Sequence, residues 1–114
     1  MEAYEISELL LKAEQAGRPW LEFLRVPALS VGLYRLAAGS ADLQQPHRED
    51  EIYYVLRGRA VARVGGEERP VGPGTILYVG ANVEHRFHSI SETLVLLVFF
   101  APAEGSQAAT GKNR

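Results

Sequence analysis

His47 and Glu51 lie four positions apart in the stretch Gly39-Ser-Ala-Asp-Leu-Gln-Gln45-Pro-His47-Arg-Glu-Asp-Glu51, and a second imidazole pair, His85 and His88, follows downstream. Two imidazoles and one carboxylate drawn from separate segments form a donor set that suits Fe(II) and other divalent metals and leaves coordination positions open. Gln45, His47 and Glu51 are all odd-numbered, so an extended chain aims them to one face. Residues two apart on a strand stand about 7 Å apart, close enough for Gln45 and His47 to share an ion. Four apart is about 13 Å, so His47 and Glu51 can share one only if the chain bends at the polar Arg48-Glu49-Asp50. A helix would also bring them together at i, i+4. Pro46 and the strand-favouring Ile52-Tyr53-Tyr54-Val55 argue against it. A bent strand is the expectation.

Short β-rich runs must position these groups. They cover residues 20–26, 29–37, 52–56, 60–64, 75–79, 85–90 and 94–101, divided by Gly-, Pro- and Asn-containing turns. Gly65-Gly66 has the form of a two-residue hairpin, since a type I′ turn needs positive φ at both central positions. Residues 5–16 place Ile6, Leu9, Leu10 and Ala13 at helical spacing, and Gly17 and Pro19 end the pattern. Many short strands at this spacing predict an all-β sandwich or closed barrel with one N-terminal helix. At 114 residues the chain is one domain. Residues 1–102 form it, and 103–114, with no periodicity, are expected to be a frayed tail.

The formal net charge of −2 offers no basic footprint for nucleic acid. Cysteine is absent, which excludes disulfides, thiolate nucleophiles and Cys-ligated zinc. Neither a signal peptide nor a membrane-length apolar run is visible. The expectation is a cytoplasmic protein without membrane or nucleic-acid partners.

The segment resembles the first motif of the cupin superfamily, Gly-x5-His-x-His-x3,4-Glu-x6-Gly. Gly39, His47, Glu51 and Gly58 stand at its fixed positions, and Gln45 replaces the first histidine. The second motif, Gly-x5-Pro-x-Gly-x2-His-x3-Asn, is met at Gly74 and His85. Gly80, Asn82 and Ser89 replace its proline, second glycine and asparagine. Asparagine tolerates the left-handed conformation that the glycine position implies. The resemblance implies a jelly-roll barrel (double-stranded β-helix) holding a divalent transition metal (Fe, Mn, Ni or Zn) on Gln45, His47, Glu51 and His85. Gln45 is either a weak fourth ligand or a hydrogen bonder to bound water or substrate. His88 falls on the opposite strand face from His85 and is expected outside.

Tyr53 and Phe87 each follow a proposed ligand by two residues, which makes them pocket-wall or core residues. One of Tyr34 and Arg35 should face inward, and an inward Arg35 would suit an anionic substrate group. Glu49-Asp50 reads as a solvated turn. The implied function is a metal-dependent enzyme acting on a small organic molecule, with dioxygenase-type oxidoreductase chemistry favoured. The alternatives are sugar isomerase or lyase chemistry, a non-catalytic sensor or storage barrel, or a barrel that has lost its metal. The resemblance also implies a homodimer. The apolar 94–100 run suggests burial on both faces, one of them against the helix or a partner chain.

Overall fold

A computed structural model describes residues 1–44 and 46–106. The elements are α1 (Ile6–Ala16), β1 (Trp20–Val26), β2 (Leu29–Leu36), β3 (Asp50–Val64), β4 (Glu67–Val71), β5 (Ile76–Val79) and β6 (His85–Ala101). All strand pairings are antiparallel, in the order β1-β2-β6-β3-β4, with β5 on the edge of β3. The sheet curls into a single jelly-roll-type barrel with one short helix outside it, as expected.

The long strands β3 and β6 are its backbone, paired from Asp50↔Ala101 to Val64↔His85. Each merges two of the runs expected to be separate strands. In β3 the buried residues are odd-numbered through Glu51, Tyr53 and Val55, then even-numbered at Ala60 and Ala62. In β6 they are odd at His85 and Phe87, then even from Ile90 to Phe100, with Val95 also buried but on the outer face. One extra residue in a strand re-aims everything after it, which is the geometric effect of a bulge. The β3–β6 register shifts repeatedly between Val55 and Val61. Gly58 there has φ 92°, and a Cβ on it would collide with the Thr93 carbonyl. Ser89 makes the corresponding turn in β6 with φ 51°. The chain bends at both points without ending its strand.

Inside the barrel, Tyr53, Val55, Phe87, Leu94, Leu96 and Val98 belong to the main core. On the outer face of β6, Val95 packs with Leu33 under Leu9 and Ala13 of α1. The apolar run in β6 is thus buried on both faces up to Leu97, and the helix supplies the second cover. The helix ends at Gly17, which takes the left-handed conformation (φ 66°) and bonds back to the Glu14 carbonyl.

Two expectations need correction. Glu49 is buried at 3% exposure, while Asp50 is exposed and its Oδ1 accepts the Ala81 N–H at 2.9 Å. The pair is therefore half buried. The chain also stays packed past residue 102: Ala103 is buried with its N–H on the Pro27 carbonyl, and the Glu104 N–H bonds Ser30 Oγ at 2.8 Å. Residues 107–114 of the expected tail lie outside the described residues.

Candidate metal centre

Three elements deliver the donors. His47 precedes β3, Glu51 is the second residue of β3, and His85 opens β6. Pairing between β3 and β5 aligns Glu51 with Val79, which lies just before the 80–84 turn leading to His85. That turn holds the His47 segment directly: the Asn82 N–H donates to the His47 carbonyl at 2.6 Å, and Asn82 takes φ 65°, the left-handed conformation anticipated for it. Donor atoms of His47, Glu51 and His85 all lie within 4.8 Å of one another. His85 Nε2 is 3.2 Å from Glu51 Oε1, and the two imidazole centroids are 5.8 Å apart.

Glu51 is 1% exposed and His85 6%. Two buried polar atoms, His47 Nε2 and Glu51 Oε2, have no hydrogen-bond partner. Buried orphans of this kind cost about 1–3 kcal/mol each, more for a charged group. A shared cation is the partner that fits both. His85 Nδ1 is 2.9 Å from the Val83 carbonyl and donates to it, which leaves Nε2 as the lone-pair nitrogen facing the cluster. The donor set fits a divalent metal.

The surrounding network includes residues with no role in the sequence reading. The buried Asp42 carboxylate accepts Tyr34 Oη (2.9 Å), Gln44 Nε2 (3.0 Å) and the Phe87 N–H (2.9 Å). With its amide nitrogen held by Asp42, Gln44 turns its Oε1 toward Tyr53, whose hydroxyl lies 3.0 Å away. The same hydroxyl is 3.0 Å from His85 Nε2. One phenolic proton thus has two acceptors within reach. Burial, reinforced by the Glu51 charge, pushes the Tyr53 pKa well up; burial and Asp42 do the same for Tyr34. Both phenols stay protonated at neutral pH. For His85, burial opposes the charge, but the Glu51 carboxylate and the Val83 carbonyl outweigh it and raise the pKa.

A cavity of about 260 Å³ opens beside His47, lined by Trp20, Tyr34, Gln44, Val98, Phe100 and Glu104. Tyr34 is therefore the inward member of its pair. Arg35 is exposed and borders a groove beside α1 with Leu10 and Leu33, away from the triad. Tyr53 and Phe87 do not border the cavity. They stack edge to face at 5.2 Å within the core, and only the Tyr53 hydroxyl reaches the triad. His88 is outside the cluster, bonded to Glu68 at 2.9 Å. Gln45 lies outside the described residues. Asp42, Gln44 and Glu104 carried no local signal, because their roles arise from contacts distant in sequence.

A family model described as a cupin domain matches residues 32–100. The chain belongs to the cupin domain family. It is 48% identical over 106 residues to an uncharacterized protein of Streptomyces coelicolor, covering 91% of this chain and 99% of that protein. It is also similar to the solved structure of TT1209 from Thermus thermophilus, with a TM-score of 0.69 and 27% identity over 90% of this chain and 99% of that one. The DMSP lyase DddQ from Ruegeria pomeroyi shares the fold, with a TM-score of 0.63 and 23% identity over 67% of this chain and 39% of that one.

Proposed function

We propose that this cupin binds one divalent transition metal through His47, Glu51 and His85 and uses it to transform a small organic molecule. The observation that carries this reading is the gathering of His47, Glu51 and His85 donor atoms within 4.8 Å of one another, with His47 Nε2 and Glu51 Oε2 buried and unpartnered. A two-histidine, one-carboxylate set suits Fe(II), and the bound ion supplies a Lewis acid with open positions for O2 and substrate. That donor set supports dioxygenase-type chemistry as the first reading.

The chain's own residues do the rest. Trp20, Val98 and Phe100 give the cavity an apolar wall, and Trp20 and Phe100 meet edge to face at 6.0 Å. Its volume falls below the roughly 300 Å³ at which drug-sized sites begin, so the substrate is small. Gln44 and Tyr34, held by Asp42, supply the polar edge that orients it. A second reading, in which the ion polarises the substrate without O2, is favoured by the two phenols that stay protonated beside the site. A lyase or isomerase would use such donors.

The test is metal analysis of protein purified without added metal, followed by oxygen uptake with small aromatic and diketone compounds. Stoichiometric Fe with substrate-dependent uptake supports the first reading. Turnover under argon selects the second. Protein that neither carries nor takes up a divalent ion refutes both.

We also infer a homodimer formed through the outer sheet face. Ile52 pairs with Tyr78 and Phe99, and Tyr54 pairs with Ile76; all five side chains are exposed on one face. Ile76 and Tyr78 are 65% and 64% exposed, and an apolar patch rimmed by polar residues is typical of a protein interface. Among the described residues no helix is long and apolar enough to cross a membrane.

A further inference from the structure

Resting on the metal reading above, we propose that Glu104 is a positioning residue for His47, its carboxylate accepting the Nδ1 proton so that Nε2 is left to face Glu51 and His85. Glu104 Oε2 is 3.7 Å from His47 Nδ1. That is about half an ångström beyond hydrogen-bond range, a gap that a small side-chain rotation closes. The opposite ring nitrogen, Nε2, is buried without a hydrogen-bond partner, and His47 belongs to the cluster with Glu51 and His85. A histidine that ligates through one nitrogen and donates from the other to a carboxylate is fixed in tautomer and ring orientation.

The backbone of Glu104 is built to deliver that carboxylate. Its N–H bonds the fully buried Ser30 Oγ at 2.8 Å, and its carbonyl receives the Arg25 guanidinium. The preceding Ala103 is buried at 2% exposure. The side chain lies half-buried against the cavity, within electrostatic range of Glu22, Glu49 and Glu51. Burial and these three carboxylates disfavour the charge on Glu104, and the neighbouring His47 favours it.

The experiment has two readouts on wild type, Glu104→Ala, Glu104→Gln and His47→Ala. The first is the 15N imidazole spectrum of metal-free protein at alkaline pH, where His47 is neutral. The second is a Zn²⁺ titration. The wild type is expected to hold His47 as the Nδ1–H tautomer; Glu104→Ala gives a tautomer mixture and binds Zn²⁺ about 10–100-fold more weakly. Glu104→Gln, whose amide oxygen still accepts the proton, restores most of both and keeps the test available should the alanine variant not fold. Glu104→Ala with wild-type tautomer and affinity overturns the proposal while His47→Ala still loses Zn²⁺. If His47→Ala binds Zn²⁺ like the wild type, the metal reading itself fails, and the tautomer spectrum alone decides the role of Glu104.

Discussion

The backbone N–H of Asn82 donates to the carbonyl of His47 across 2.6 Å, so the turn that leads into His85 also sets the position of the other imidazole. The two halves of the candidate metal centre are coupled through a main-chain hydrogen bond. Asp50 Oδ1, accepting the Ala81 N–H at 2.9 Å, adds a second tie between the same two segments.

Asn82 occupies φ 65°, which a β-branched residue resists. Asn82→Val is expected to cost about 1–2 kcal/mol in urea unfolding. It should also weaken metal binding, because a displaced turn moves His47 relative to His85. Asn82→Gly satisfies the same conformation and should stay close to wild type in both measurements. Equal stability for the Val and Gly variants would show that the turn is not held in this geometry.

Tyr53 tests the network behind the ligands. Tyr53→Phe keeps the ring packed on Phe87 but leaves Gln44 Oε1 without its donor. The expected loss is about 0.5–1.5 kcal/mol of unfolding free energy, the net worth of one hydrogen bond, since Gln44 is only partly buried. Asp42→Ala should cost more, because it strips the acceptor from Tyr34, Gln44 and the Phe87 N–H together. The check is chemical denaturation of both variants, with the ordering as the deciding result.

The grouping of His47, Glu51 and His85 was legible because two spaced motifs mark it, and a bend at 48–50 and a turn at 80–84 then bring the three together. The network behind it was not. Asp42 bonds Phe87, 45 residues away, and Glu104 bonds Ser30, 74 residues away, and no periodicity encodes such pairs. Gly58 reads as a turn between two strands, yet it is a bulge at a close backbone crossing within one strand. Ser91-Glu-Thr93 likewise looks like a loop by polarity. It continues β6, with Ser91 and Glu92 exposed and Thr93 only partly covered.

The raised pKa of His85 makes the stability of metal-free protein fall with pH while the stabilisation added by a metal grows. Burial opposes its protonation, and the Glu51 carboxylate and Val83 carbonyl outweigh that opposition. A histidine whose folded pKa exceeds its unfolded value adds stability that is full below the unfolded pKa and is lost as pH rises through the folded pKa. Metal-free protein should therefore lose stability across the range just above the ordinary histidine value of about 6.5. A metal competes with the proton for Nε2, so the stabilisation it adds should grow over that same window. The Glu104 pKa is also raised, chiefly by burial, so its contribution too is lost as pH rises above the ordinary carboxylate value. Melting temperatures across pH, with chelator and with Zn²⁺, check both slopes; parallel curves would remove His85 from the metal site.

The outer face of β3, β5 and β6 supplies the last test. Ile52, Tyr54, Ile76, Tyr78 and Phe99 are paired in register and exposed together, while the comparable outer positions Val95 and Leu97 are packed with α1. The helix covers one part of the outer sheet and leaves this part bare. A second copy laid on the patch would remove the apolar surface from water at about 25 cal/mol per Å². Tyr78→Glu would bring two charges together across a self-complementary two-fold contact, because each protomer contributes the same patch. Light scattering at micromolar concentration is expected to show a dimer for wild type and a monomer for Tyr78→Glu. Tyr78 is 64% exposed and away from the triad, so the variant should retain its metal. A wild-type monomer, or a Tyr78→Glu dimer as tight as the parent, would eliminate this face as the interface.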